Sequence, residues 1–225
     1  MRYTVTDSRI PWNETTMATL ACYEPVLDFL LGYGKPLTLL NLGGEPKDLA
    51  SITRLPYASC SLNDLSSLSQ YVSEDLPGYR GDLVCAMDVL HRVAPDHREA
   101  FFTALRRQSR RFAILSYPTA EHGQRIDANF VASFSQSLPR PVLHVCHPYP
   151  QGEWVEQALS RYGFRSLAYY SHITPLQHIA TCWNVVIQGS NKIEWLNEWH
   201  QARMQLEHAS THQSTYRDTW ILEGV

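Results

Sequence analysis

The fold is decided by residues 79–93, which read YRGDLVCAMDVLHRV. Within this stretch the run Asp82–Met87 is almost wholly apolar, which is typical of a strand buried on both faces of a parallel sheet. Pro95 suits the first turn of a helix, and the apolar residues that follow it predict a helix extending to Arg110. A second buried strand is predicted over residues 112–117. Strand, helix and strand in this order predict a βαβ unit.

The same alternation of strands and helices continues on both sides of this unit. Leu37–Leu42 predicts a strand that stops at Gly43-Gly44. Ser166–Ser171 and Ile179–Gln188 predict two strands with no helix between them, which favours an antiparallel hairpin. We therefore predict an α/β fold with a doubly wound, mostly parallel sheet and a C-terminal antiparallel hairpin. The other expected elements are a strand at Tyr57–Leu62 and helices over Asn13–Tyr33 (kinked or split at Pro25), Trp154–Tyr162 and Asn191–His208.

Length and composition exclude several classes of protein. The 225 residues carry a net charge of −3, which gives no general attraction to nucleic acid. No stretch approaches the length of uncharged apolar residues that a membrane span needs, and the sequence begins without the pattern of a secretory signal. The five cysteines are odd in number and far apart, which favours a reducing compartment. We therefore expect a cytoplasmic protein that binds neither nucleic acid nor membrane.

The sequence shows no internal repeat and no Ser/Gly-rich linker, so a single domain is predicted over residues 1–225. A helical segment at about 13–34 and a helical tail at about 191–225 would flank the sheet. Trp195 and Trp199 in that tail suit either a core-facing stripe or a partner surface, and they leave a homodimer open. Four arginines are expected near the end of the helix that begins at Pro95, where they would stabilise its dipole: Arg106, Arg107, Arg110 and Arg111.

Ligands of open α/β sheets bind beyond the carboxyl ends of the strands. Gly43 and Gly44 follow one such end, and adjacent glycines let the backbone turn sharply and approach a ligand closely. Residues 143–149 offer three side chains of the kind that bind zinc but no fourth at a familiar spacing, so no metal site is predicted. Their imidazole and aromatic groups would suit a sugar or a planar ring through stacking and hydrogen bonds.

The block 82–93 resembles the class I S-adenosylmethionine-dependent methyltransferases. Many members carry F-D-L-V, a few apolar residues and then V-L-E-H. Here Asp82-Leu83-Val84 and Val89-Leu90 match, while His91-Arg92 stand in place of Glu-His. Residues 40–46 occupy the place of the glycine-rich motif of that family.

The resemblance implies the fold of these enzymes, S-adenosylmethionine as cofactor, and a small-molecule or glycan acceptor methylated at oxygen. His91 would accept the proton of the acceptor hydroxyl, Asp88 would orient or replace it, and His122 is the second candidate base. The implied cofactor contacts are Gly43, Gly44, Glu45, Ser61, Asn63, Asp75, Leu76, Met87 and Asp88.

Several residues depart from the pattern of the family and leave an alternative open. Asn41 replaces the aspartate of the glycine-rich motif, Glu45 replaces a glycine, and the ribose-binding acid after the second strand is absent or displaced. These changes suit either a divergent cofactor site or a catalytically inactive binding or scaffold protein that has lost it. An α/β enzyme that uses another nucleotide is a third interpretation, although the sequence has no Gly-Lys-Ser/Thr phosphate loop.

Overall fold

A computed structural model of the chain describes residues 14–34, 37–42, 57–60, 80–120, 122–134, 147–172 and 215–225. Six strands and four α-helices lie in these ranges. In chain order they are α1 (Glu14–Tyr33), β1 (Leu39–Leu42), β2 (Tyr57–Cys60), β3 (Gly81–Met87), α2 (Arg98–Gln108), β4 (Ser109–Pro118), α3 (Gly123–Phe134), α4 (Gly152–Arg161), β5 (Phe164–His172) and β6 (Arg217–Gly224). Two short 3-10 helices, Leu90–Arg92 and Pro95–His97, join β3 to α2.

The described strands form one sheet in the order β2-β1-β3-β4-β6-β5. Strands β1 to β4 are parallel, and β6 runs antiparallel to both of its neighbours. The order of the strands reverses between β1 and β3, because the chain proceeds from β1 outward to β2 and then returns to the other side of β1. In an α/β sheet this reversal is the usual place for a ligand, at the carboxyl ends of the strands.

Helices cover both faces of the sheet, because its central strands are apolar on both sides. On one face α2 and α4 pack against β1, β3 and β4, and on the other face α1 packs against the same strands. The first core includes Phe101, Phe102, Val155, Leu40, Val84 and Leu115, and the second includes Tyr23, Val26, Leu39, Cys85 and Ile114. The predicted doubly wound sheet is therefore confirmed.

The C-terminal part of the predicted helical tail is wrong, because residues 217–224 form β6. In β6, Thr219 and Ile221 face the α1 side while Trp220 and Leu222 face the opposite side, and all four are buried. A strand that is buried on both faces is apolar at consecutive positions. It therefore lacks the alternation of polar and apolar residues that marks a surface strand. The antiparallel pair itself is confirmed, with β6 as the described partner of β5. The predicted strand 179–188 and helix 191–208 lie outside the described residues.

Two predicted helix boundaries also change. Helix α2 ends at Gln108, and Ser109 takes an extended conformation that begins β4. Arg110 and Arg111 therefore lie on a strand, where they pair with Asp82 and with Glu223 on the neighbouring strands. Helix α1 runs through Pro25 without a second helix beginning there. Among the described residues, no helix is long and apolar enough to cross a membrane.

Candidate functional site

Polar side chains from four strands meet at the carboxyl edge of the sheet. Asp88 directly follows β3, Ser116 lies near the end of β4, and His172 ends β5. Since β6 runs in the opposite direction, its first residue, Arg217, reaches the same edge, opposite Pro118 of β4 and His172 of β5. The topology alone therefore collects charged and hydroxyl groups from distant parts of the sequence.

Asp88 has a strained backbone, and its carboxylate does not cap the 3-10 helix that follows it. Its φ is +57°, a conformation that residues other than glycine rarely adopt. Its N–H donates to the carbonyl of Ser116 at 3.0 Å. The 3-10 helix that follows begins after Val89 without any side-chain cap, so Asp88 is not a capping residue.

The carboxylate of Asp88 instead accepts a hydrogen bond from Nη2 of Arg217 at 2.7 Å. Burial alone would raise the pKa of Asp88. The positive charge of Arg217 and the interaction with His91 lower this pKa by more than burial raises it, so the net pKa lies below its ordinary value. Asp88 is therefore an anion at neutral pH, and its side chain remains partly exposed at the edge of the sheet.

Arg217 connects Asp88 to a row of hydroxyl groups on the α1 face. The residue is only 3% exposed, and its Nη1 donates to Oγ of Ser116 at 3.1 Å. The hydroxyls of Ser116 and Thr219 are 2.8 Å apart, and Nε2 of His172 lies 2.7 Å from Oγ1 of Thr219. Burial, assisted by Arg217, lowers the pKa of His172 to about 4. Sequence reasoning missed this row.

His91 lies in the 3-10 helix beyond Asp88 and is 6% exposed. Its ring meets the ring of Tyr149 edge to face, with centroids 5.1 Å apart. Burial lowers the pKa of His91 to about 3, although the charge of Asp88 opposes this shift. The imidazole is therefore neutral at pH 7, and its Nδ1 has no hydrogen-bond partner in the part of the chain that the structure describes.

Tyr149 is fixed in place by Asp127 of helix α3. Oδ2 of Asp127 accepts hydrogen bonds from the hydroxyl of Tyr149 at 2.6 Å and from that of Tyr216 at 2.8 Å. The backbone N–H of Tyr149 also donates to Oε1 of Gln124 at 3.0 Å. Asp127 therefore ties α3, the segment before α4 and the start of β6 together around His91. No local sequence motif pointed to this carboxylate.

The structure brings Asp88 and His91 together, but it places the other described candidates differently. His122 lies at the entrance to α3, where its carbonyl accepts a hydrogen bond from the N–H of Ile126 at 3.0 Å. The side chain of Met87 is buried in the core that faces α1. Seven predicted cofactor contacts lie outside the described residues: Gly43, Gly44, Glu45, Ser61, Asn63, Asp75 and Leu76.

Asn41 is the most unusual polar residue near the reversal of strand order. It lies on β1 beside Cys85 of β3, it is fully buried, and neither Nδ2 nor Oδ1 has a hydrogen-bond partner among the described residues. Burying an unpaired amide costs free energy. A ligand group that both donates and accepts hydrogen bonds would satisfy this side chain. The described residues contain no group of three His, Cys, Asp or Glu able to hold a metal ion.

Comparisons with known proteins identify the fold. No protein-family profile and no curated protein sequence matches the chain. Among solved structures, the 4+2 cyclase SpnF aligns with a TM-score of 0.56 at 12% identity over 99% of this chain and 86% of its own. A magnesium protoporphyrin IX methyltransferase from Synechocystis PCC 6803 with bound SAH aligns with a TM-score of 0.51 at 10% identity over 97% and 90%.

A third structure is phosphoethanolamine N-methyltransferase 2 from Haemonchus contortus in complex with S-adenosyl-L-methionine. It aligns with a TM-score of 0.53 at 12% identity, over 96% of this chain and 58% of its own. Structural similarity at such low sequence identity establishes the fold alone. The reaction has to be argued from the residues of the site. The chain therefore has the fold of the class I S-adenosylmethionine-dependent methyltransferases.

Proposed function

We propose that this chain binds S-adenosylmethionine and transfers its methyl group to a small-molecule or glycan acceptor at oxygen. The observation that carries the proposal is the buried amide of Asn41, near the end of β1, which has no hydrogen-bond partner among the described residues. It lies two residues before Gly43 and next to the reversal of strand order, where α/β folds bind nucleotides. An amide can accept from the ammonium group or donate to the carboxylate of the cofactor's methionyl part.

The remaining contacts are those that the resemblance implies. Gly43 and Gly44 would pass beneath the methionyl and ribose parts, with Glu45 beside them. Ser61 or Asn63 would bind the ribose hydroxyls, and Asp75 with Leu76 would lie by the adenine. Met87, whose side chain is buried in the core, would contribute through its backbone, and Asp88 would flank the reactive end.

The bound cofactor supplies an electrophilic methyl group on a positively charged sulfur. Methylation of a hydroxyl would require its proton to leave, so a residue beside the acceptor oxygen would have to take it. His91 is neutral at pH 7 and can take that proton at Nδ1 or Nε2. Burial outweighs the effect of the anion Asp88, which favours the protonated ring, so His91 with its pKa of about 3 is a weak base. His122 is the second candidate for this role.

Calorimetric titration of the chain with S-adenosylmethionine and S-adenosylhomocysteine tests the binding step. We expect micromolar dissociation constants and a higher melting temperature with either ligand. Gly44→Val should abolish binding, because a side chain would occupy the place of the ligand. His91→Ala should lower turnover while leaving cofactor affinity largely intact. Absence of binding at millimolar ligand would refute the proposal.

A second candidate is a binding or scaffold protein with this fold and without methyl transfer. The observation that favours it is the weakness of the described bases, since His91 has a pKa of about 3 and Asp88 is neutralised by Arg217. This candidate predicts binding of a ligand at the edge of the sheet and no turnover with any acceptor. A cytoplasmic location and a homodimer remain predictions under either candidate.

A further inference from the structure

Arg92 is a half-buried cation that follows His91 in the same 3-10 helix. Its backbone N–H closes the 3-10 turn onto the carbonyl of Val89 at 2.9 Å. Its Nε is buried without a hydrogen-bond partner, and no ion pair of Arg92 occurs within the described segments. A buried charged donor without an acceptor is costly, so this position calls for an explanation.

Two neighbouring arginines use their guanidinium groups to bind other parts of the chain at this edge. Arg98 is buried at the start of α2, and it donates from Nε to the carbonyl of Val93 at 3.2 Å and from Nη2 to the carbonyl of Pro148. Arg217 donates to Asp88 and Ser116. Both hold the protein together. Arg92 differs from them because no hydrogen bond or ion pair joins its side chain to any described residue.

The two anions that act on His91 are already engaged by other groups. The carboxylate of Asp88 is held by Arg217 at 2.7 Å, and that of Asp127 accepts from Tyr149 and Tyr216. Nevertheless, the charge of Arg92 lowers the pKa values of Asp88, His91 and Tyr149. The guanidinium therefore acts on the same small region that surrounds the His91 ring.

We infer that the methyl acceptor carries an oxyanion, a carboxylate or a phosphate, and that Arg92 binds it beside His91. A planar guanidinium suits oxyanions of both kinds, because two of its N–H groups can donate in parallel. An anionic group held there would place the remainder of the acceptor against the neutral imidazole and the partly exposed Asp88. This inference rests on the proposed function, since it names the chemical class of its acceptor.

Calorimetric titrations with inorganic phosphate and with acetate, at low and constant ionic strength, test this subsite. We expect the wild-type chain to bind at least one of the two probes and Arg92→Gln to bind it at least about tenfold more weakly, as loss of a charge-assisted hydrogen bond predicts. The stronger probe identifies the oxyanion as phosphate or carboxylate. Arg125→Gln, which removes an exposed arginine from α3, should leave the affinity unchanged.

Parallel titrations with S-adenosylhomocysteine separate this inference from the proposed function. Arg92→Gln should keep the wild-type affinity for that ligand, because Arg92 lies on the acceptor side of Asp88 in this account. Equal affinities of Arg92→Gln and Arg125→Gln for the bound probe, or no binding of either probe by the wild type, would overturn the oxyanion subsite. Failure of the wild type to bind S-adenosylhomocysteine would refute the cofactor proposal instead.

Discussion

Replacement of His91 by glutamine should reverse the stability order of mutant and wild type in acid. The folded chain holds His91 neutral down to its pKa of about 3, whereas an unfolded histidine takes a proton near pH 6.5. Between these two values the unfolded state binds more protons. The contribution of His91 is therefore complete above pH 6.5 and is lost as the pH falls toward 3.

The loss amounts to about 1.4 kcal/mol for each pH unit in that window, or roughly 3 kcal/mol by pH 4. At pH 7, His91→Gln should cost about 1–2 kcal/mol through poorer packing on Tyr149. Because glutamine does not titrate, the variant should become the more stable protein below about pH 5. The titration of His172 is common to both proteins and cancels in the difference.

Urea unfolding followed by tryptophan fluorescence at pH 7, 6, 5 and 4 gives the two stability curves, and NMR titration of His91 gives its pKa directly. Curves that remain parallel over this range would refute the reasoning. They would mean that Asp88 stabilises a protonated His91 in the folded chain strongly enough to offset burial.

Two further predictions concern stability. Asp88→Asn and Arg217→Gln should each destabilise the fold, with a coupling energy of about 1–3 kcal/mol in a double-mutant cycle measured by urea unfolding; additive effects would contradict a functional ion pair. Gly81→Ala should cost more than about 2 kcal/mol, because its Cβ would lie 2.7 Å from the carbonyl oxygen of Leu83. The control Gly32→Ala, in open space on α1, should be neutral or stabilising by up to about 1 kcal/mol, and equal effects of the two alanines would count against this packing.

The central sheet could be predicted from sequence because its strands are buried on both faces. The apolar runs 82–87 and 112–117 fall inside β3 and β4. Strand β6 was missed because the predicted helical tail was extended to the end of the chain. The signal that could have found β6 is Thr219–Leu222, a short run rich in β-branched and aromatic residues.

The candidate site was predictable only where its residues are local in sequence. Asp88 and His91 belong to one motif and lie together in the structure. Arg217 binds Asp88 across 129 positions of sequence, and Asp127 reaches Tyr149 through packing of α3 on another segment. Such contacts depend on the three-dimensional path of the chain, and a single sequence contains no local pattern for them.

Calorimetric titration of wild-type and Asn41→Leu chains with S-adenosylhomocysteine tests the cofactor site most directly. Leucine removes a buried amide that has no hydrogen-bond partner in the described ranges, so the variant should fold at least as stably as the wild type. We predict that it binds the ligand about 10- to 100-fold more weakly, as loss of a charge-assisted hydrogen bond implies, while Asn41→Asp keeps measurable affinity. Equal affinity in wild type and Asn41→Leu, or no wild-type binding at millimolar ligand, would contradict a cofactor site at the end of β1.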